Sequence, residues 1–193
     1  MNFEDARSYI LERLSTELNP NLFYHTLDHT LDVFESAIRI AKKENIPEND
    51  IPLIKTAALY HDSGMLVTYD GHESASVDIA QRVLPVFGYS VQQMEVIKGM
   101  IMATKLPQNP HNKLEKVLCD ADLDYLGRDD FFMISHRLKQ EWHVRGHQQS
   151  LKEWYNGQIA FLSSHVYFTE SAIELRRPKK IDNLNQIKAL FTD

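Results

Sequence analysis

The sequence predicts an all-α fold, a single-domain bundle of many helices. Apolar residues recur with a period near 3.6 along most of the chain, whereas the alternation of apolar and polar residues that is typical of strands is rare. Helix breakers are few, with seven glycines and seven prolines among 193 residues. A chain of this length suits one domain, which we expect to span residues 1–193, with the functional motifs between about 20 and 175.

Five helices are predicted in the N-terminal half, each placed by its apolar stripe. They cover residues 2–17, 27–44, 53–62, 73–87 and 90–104. The breakers between them are, in order, the turn Asn19-Pro20-Asn21, the segment NIPENDIP, the pair Ser63-Gly64, and Pro85 with Gly88. His29 lies on the apolar stripe of the second helix and His61 on that of the third, so both imidazoles are expected to face the interior.

Four more helices are predicted in the C-terminal half. They cover residues 113–126, 129–145 and 148–163, and the last begins near Thr169. The loop KLPQNPHN precedes the first of these helices, and Gly146 lies between the second and the third. In the last helix Pro178 is expected to kink or divide the helix, because proline removes a helical hydrogen bond. Tyrosines and tryptophans between 142 and 167 are expected to fill the core.

The charge and cysteine counts exclude several classes of function. Lys plus Arg number 21 against 27 Asp plus Glu, a net charge of −6. This charge repels polyanions, so we expect no nucleic-acid polymer as a partner, and an anionic small substrate needs a local cation. The single cysteine, Cys119, excludes an intramolecular disulfide, and there is neither a signal-like start nor an 18-residue apolar run. We expect a soluble, cytoplasmic protein without membrane association, and leave a homo-oligomer open.

Histidine is the unusual residue of this sequence, with nine copies. Four of them, His25, His29, His61 and His72, fall within 48 positions. His61 and Asp62 end an apolar helix stripe, where both side chains are costly to bury without partners. Ligation of a metal ion would satisfy both. The other five histidines are assigned to the structure or the surface.

Five short motifs follow one another along the chain: YHTLDH, LYHD, HESASV, IMAT and DADLDYLG. In this order they resemble the HD-domain superfamily of metal-dependent phosphohydrolases, and the segment from about 20 to 175 resembles one bacterial branch of predicted HD-superfamily phosphohydrolases. The resemblance implies an HD-type helical bundle with a metal site in its core. It also implies that His29, His61, Asp62 and one aspartate of the DADLD run bind the metal.

Asp122 is our choice for that aspartate. It shares the apolar stripe of its helix, whereas we expect Asp120 and Asp124 on a wetter face beside Lys116. The family's pattern of alanine, aspartate and an apolar residue agrees with this choice. Whether Asp120 takes the place of Asp122 stays open.

The implied ligand set also bears on the identity and number of the metals. Two imidazoles and two carboxylates suit Mn²⁺, Fe²⁺, Co²⁺, Ni²⁺ or Zn²⁺, with Mg²⁺ also open, and without cysteine ligands there is little selection among them. Two-metal members of the superfamily take further histidines from the region of His72 and the following helix. Residues 101–104 of that helix read Ile-Met-Ala-Thr, so we favour one metal over two.

The motif YHxxxH, here at residues 24–29, is similar to that of cyclic-nucleotide phosphodiesterases, in which the first histidine donates a proton. This similarity implies that His25 is the general acid, and a free imidazole with a pKa near 6.5 suits that task. Thr26 departs from the asparagine expected there, which weakens the cyclic-nucleotide analogy. Asp62 or Glu73 is the candidate acceptor of the water's proton, and Glu73 alternatively orients a ligand or the attacking water.

The activity that the resemblance implies is hydrolysis of a phosphomonoester, a nucleotide, by a metal-activated water. The candidates for binding this small phosphorylated substrate are His72, Lys105, Arg128 and Arg137. Two alternatives stand beside it: a phosphodiesterase for a cyclic or linear nucleotide, and a non-catalytic ligand-sensing module that keeps the metal. An iron oxygenase on a similar scaffold is disfavoured by the shortage of further histidines.

Overall fold

The computed structural model of the protein describes residues 1–190, which form helices and no strands. The nine α-helices of this part are α1 (Phe3–Glu17), α2 (Leu27–Lys43), α3 (Ile51–Tyr60), α4 (His72–Val83), α5 (Val91–Thr104), α6 (Lys113–Asp122), α7 (Phe131–Val144), α8 (Leu151–Ser164) and α9 (Glu170–Ala189). The prediction of an all-α fold is therefore confirmed. The last three residues of the predicted domain 1–193 lie outside the described residues.

Three short 3₁₀ helices complete the bundle, at Ser63–Leu66, Leu84–Phe87 and Asp124–Gly127. Two of them replace the ends of predicted helices. Residues 73–87 divide into α4 and a 3₁₀ helix with Pro85 in its first turn, because proline has no N–H to continue the α-helical ladder. Similarly, the predicted helix 113–126 divides into α6, which ends at Asp122, and the 3₁₀ helix that follows it. The carboxylate of Asp122 therefore lies at a helix end.

The core consists of two apolar clusters. The larger one gathers side chains from α1 to α6, and α3 lies at its centre, since seven of its ten residues are buried. The smaller one joins α7, α8 and α9 to Tyr24 and to the 3₁₀ helix that contains Tyr125. Tyr24 packs against His29 of α2, with ring centroids 4.6 Å apart. His29 thus lies where the two clusters meet, and the ring of His61, directly after α3, lies 5.4 Å from it between centroids.

The last helix is continuous across Pro178, so of the two expected effects, a kink or a division, the division does not occur. Pro178 and Glu174 are both exposed. The carbonyl of Glu174, which loses its usual N–H donor, can therefore be hydrated by solvent. α9 is the longest helix of residues 1–190, and neither it nor any other helix in that range combines the length and apolarity needed to cross a membrane.

His165, at the end of α8, links pH to stability. Burial and the nearby Lys180 ammonium lower its pKa from 6.5 to about 4. The unfolded chain therefore takes up a proton at higher pH than the folded chain does. The contribution of His165 to stability is complete above pH 6.5 and is lost as the pH falls towards 4, by about 2 kcal/mol between pH 7 and pH 5. His165→Gln should remove this part of the acid destabilisation.

Urea unfolding at pH 7 and pH 5 checks this prediction, with His136→Gln as the control, since His136 is exposed. The wild type and the control should lose more stability than His165→Gln over this interval. Equal losses in all three proteins would contradict the prediction.

Candidate active site

His61 and Asp62 enter the core because they follow α3 directly. Pro52 in the first turn starts this helix, and its apolar surface is buried almost all round. His61 is completely buried, and its Nδ1 lies 2.8 Å from the carbonyl oxygen of Ala58. Since a carbonyl only accepts, Nδ1 carries a proton, and Nε2 is the nitrogen that remains for a ligand. This is the tautomer that a metal ligand needs.

His29 and Asp122 reach the same point from two other helices. The Thr26 hydroxyl caps the start of α2 and accepts a hydrogen bond from the N–H of His29, while Asp122 is the last residue of α6. His29 Nε2 lies 3.3 Å from an oxygen of Asp62 and 3.3 Å from an oxygen of Asp122. His61 Nε2 lies 3.2 Å and 3.6 Å from the same two oxygens. The structure thus brings together all four side chains that the family resemblance implies as metal ligands.

This cluster fits a divalent cation. Among the described residues, neither Nε2 of His29 nor Nε2 of His61 has a hydrogen-bond partner, although both atoms are buried. Ligand atoms of His29, His61 and Asp122 lie within 4.8 Å of one another. Two buried nitrogens without hydrogen bonds are costly in a dry interior, and a cation shared with the nearby carboxylate oxygens would satisfy them together.

The charges of the cluster favour the same interpretation. Burial raises the pKa of both carboxylates, but the neighbouring imidazoles outweigh it. The pKa of Asp62 lies well below its usual value, and that of Asp122 falls to about 2. Burial lowers the pKa of His61, yet the negative charge of Asp62 raises it overall. The site therefore holds two ionised carboxylates at neutral pH, and a metal ion would compete with protons for the imidazoles.

The expected wetter face of α6 is not present, and this expectation is wrong. Asp120 and Asp124 are 0% and 1% exposed, because both sides of this helix end are covered. Asp120 accepts hydrogen bonds from the N–H groups of Phe168 and Thr169. Asp124 pairs with Arg39, Arg176 and Arg128. Both carboxylates are committed to structural partners, whereas Asp122 faces the histidines.

A cavity of about 360 Å³ opens next to the cluster. Its polar floor contains Asp62 and Asp122, with His25, His72 and Glu73 beside them. The apolar part of its lining is formed by Leu106, Leu123, Leu138, Trp142 and Phe161. Lys105, which follows α5, also lines the cavity. The cavity therefore combines a charged floor with walls suited to an aromatic or aliphatic group.

His72 is held close to Asp62 by the packing of α4. Its Nδ1 lies 2.9 Å from the carbonyl oxygen of Tyr69, and its Nε2 lies 3.4 Å from Asp62. Burial lowers the pKa of His72, but the carboxylate of Asp62 outweighs it and raises the pKa to about 9. The close approach requires Gly64, because a Cβ there would lie 2.0 Å from the carbonyl oxygen of His72. The glycine after the His-Asp pair thus allows α4 to pack against it.

Arg128 and Arg137 do not line this cavity. They lie in a second, smaller cavity of about 140 Å³, which shares Tyr24 and Tyr125 with the first. Arg128 is bound by Asp32 and Asp130 at 2.7 Å each. Of the three cations considered for the substrate, the structure brings only Lys105 to the main cavity.

Sequence reasoning missed Glu141 of α7. Its side chain is fully buried and binds His25, with 2.5 Å between Oε1 and Nδ1. A signal for it was present, because Ile134, Leu138 and Glu141 follow each other at spacings of four and three, on one stripe of the helix. A carboxylate on an apolar stripe needs a buried partner.

Comparison with known proteins agrees with this architecture. YpgQ of Bacillus subtilis, solved in complex with ADP, superposes with a TM-score of 0.69 over 98% of this chain and 95% of that one, at 20% identity. A predicted HD superfamily hydrolase from an uncultured Thermotogales bacterium superposes with a TM-score of 0.63 over 98% and 92%, at 19% identity. At these identities the likeness establishes a shared fold.

The sequence comparisons go further. An uncharacterized protein of Clostridium beijerinckii is 30% identical over 97 residues, which are 49% of this chain and 61% of that protein. The chain thus matches about three fifths of the length of this relative. The HD domain model matches residues 26–124, just over half of the chain. This range contains the candidate ligands from His29 to Asp122, and the chain belongs to the HD domain family.

Proposed function

We propose that the protein is a metal-dependent phosphohydrolase that removes the phosphate group of a phosphomonoester, a nucleotide. The observation that carries this proposal is the convergence of the buried Nε2 atoms of His29 and His61, which lack hydrogen bonds among the described residues, with oxygens of Asp62 and Asp122 beside a cavity. His29, His61, Asp62 and Asp122 would hold one divalent ion. When bound, such an ion lowers the pKa of a coordinated water and neutralises phosphate charge.

Side chains that line the cavity supply the proton transfers. Hydrolysis forms a bond between a water oxygen and phosphorus and breaks the ester P–O bond, so one proton leaves the water and one reaches the departing oxygen. Asp62 or Glu73 accepts the first proton. His25, which also lines the cavity, gives the second, and the products are an alcohol and inorganic phosphate. His72, which lines the cavity with its Nε2 3.4 Å from Asp62, is a candidate hydrogen-bond donor to the phosphate oxygens.

The apolar walls support a nucleotide as the substrate. A phosphate on the floor would leave the rest of the molecule beside Trp142 and Phe161, and aromatic walls stack favourably on a nucleobase. The fold neighbour YpgQ holds a nucleotide, ADP.

Lys105 is the cation that we propose for a non-reacting phosphate oxygen. Lys105→Ala should raise KM for a nucleoside monophosphate about tenfold and leave kcat within about twofold, because an exposed charge contributes to binding more than to the chemical step. Steady-state kinetics checks this, with Lys98→Ala as the control. Lys98 lies on α5, the helix that Lys105 follows, and its ammonium pairs with exposed Glu95. An unchanged KM would remove Lys105 from the substrate site.

The activity itself is tested with purified protein reconstituted with Mn²⁺, Co²⁺, Ni²⁺, Zn²⁺ or Mg²⁺. Release of phosphate from nucleoside monophosphates is the expected result. Opening of a cyclic nucleotide without phosphate release would instead identify a phosphodiesterase. Tight nucleotide binding without turnover in every metal would indicate a ligand-sensing module. Either of these last two results contradicts the proposal.

A further inference from the structure

Glu141 makes an unusual set of hydrogen bonds for a buried carboxylate. Its Oε2 accepts the backbone N–H groups of Phe23, Tyr24 and His25, at 2.9, 2.8 and 3.1 Å. Its Oε1 contacts Nδ1 of the His25 ring. One side chain of α7 therefore holds both the backbone and the imidazole of a residue more than one hundred positions away in sequence.

These contacts determine which nitrogen of His25 carries a proton. Burial raises the pKa of Glu141, but the hydrogen bonds from His25 and the backbone outweigh it, and the pKa is lowered. An ionised carboxylate only accepts hydrogen bonds, so Nδ1 must be the donor. The ring is then fixed between Tyr69 and His72, with centroid distances of 5.6 and 5.3 Å. Nε2 remains for the cavity.

The two carboxylate oxygens of Glu141 have different partners, and this difference indicates more than a structural role. Oε2 alone satisfies the three N–H groups that precede α2. Oε1 has His25 as its partner, and the Tyr69 side chain also interacts with this carboxylate. The His25 side chain is 13% exposed and lines the cavity. A carboxylate that orients an imidazole in this way also stabilises the ring when both nitrogens are protonated.

We infer that Glu141 is a positioning residue that fixes the tautomer and direction of His25, so that Nε2 delivers the proton to the leaving oxygen. This inference rests on the proposed function, in which His25 is the general acid. The proton moves from Nε2 to the ester oxygen as the P–O bond breaks, and Nδ1–H stays bound to Glu141 throughout.

Glu141→Gln tests the inference, because its amide keeps the shape but can place N–H donors against Nδ1. The imidazole would then accept at Nδ1, and a neutral ring with its proton on Nε2 is a far weaker acid. With a nucleoside 5′-monophosphate, kcat should fall by about 30-fold or more, and KM should stay within about twofold. With p-nitrophenyl phosphate, whose leaving group departs without a proton, kcat should fall less than about threefold.

A double variant and a neighbouring control complete the kinetic test. In a His25→Ala background, Glu141→Gln should cause less than about twofold further loss, since the two residues act as a unit. Gln140→Ala, an exposed neighbour on α7, should keep both activities. Equal losses of kcat on the two phosphate esters, or no loss on either, would overturn the inference.

Nitrogen-15 NMR of the histidine rings separates this inference from the proposed function. In the wild-type protein, neutral His25 should carry its proton on Nδ1, and in Glu141→Gln on Nε2. Absence of turnover on any phosphomonoester would refute the proposed function, while the NMR result would still decide the role of Glu141. If Glu141→Gln does not fold, as judged by circular dichroism, the wild-type spectrum alone suffices. A neutral His25 with its proton on Nε2 would contradict the inference.

Discussion

His61→Ala and Asp62→Ala are each expected to abolish both bound metal and turnover. His61 Nε2 has no hydrogen-bond partner among the described residues, and Asp62 lies within 3.3 Å of both His29 and His61. Removing either group would take away a proposed ligand and leave unsatisfied polar atoms in the core. Affinity for Mn²⁺ should fall more than about 100-fold, beyond the loss that is usual for a residue that only orients a ligand.

Metal analysis after gel filtration and calorimetric titration with Mn²⁺ measure this effect. His143→Ala is a suitable control, since His143 is exposed on α7, and it should bind metal like the wild type. Circular dichroism must show that both site variants keep their helices. A folded Asp62→Ala protein with full metal content would refute the proposed ligand set.

His25→Ala, in contrast, should retain the bound metal and lose only the catalytic rate. His25 is held by Glu141 and is not part of the group of converging ligand atoms, so its removal should leave Mn²⁺ affinity within about threefold. Loss of a general acid should lower kcat for a nucleoside monophosphate by roughly 10²–10⁴-fold. Parallel titrations and kinetics on one preparation check both statements.

The outcome for His25→Ala is informative in either direction. A full rate would remove His25 from the chemistry. A simultaneous loss of metal would show that His25 contributes to metal binding as well as to proton transfer, contrary to what the geometry of the site implies.

Much of the fold follows from local patterns in the sequence. The stripe that carries His29 and the turn after His61 predicted α2 and α3 within two residues at each end. Such patterns are short in range, and they are set by the 3.6-residue period and by helix breakers. The choice of Asp122 was made from its place on the apolar stripe of its helix, and the family's pattern agreed with it. The expectation of a wetter face was wrong, because Asp120 and Asp124 find buried partners in α9 and its preceding loop.

The remaining features depend on contacts between distant segments. Glu141 reaches the loop before α2 only because α7 packs beside it, and the sequence order shows nothing of that neighbourhood. The pairing of Arg128 also depends on a distant segment, since its guanidinium binds Asp32 on α2. The sequence does not show whether a charged side chain has a partner in the fold, and this pairing determines whether the side chain can bind a substrate.

The most direct test of the account is anomalous diffraction from crystals grown with Mn²⁺. The account predicts one strong peak in each chain, about 2.0–2.3 Å from Nε2 of His29 and of His61 and from carboxylate oxygens of Asp62 and Asp122. A Mn²⁺ peak bound elsewhere in a catalytically active protein, with these four side chains uncoordinated, would contradict it.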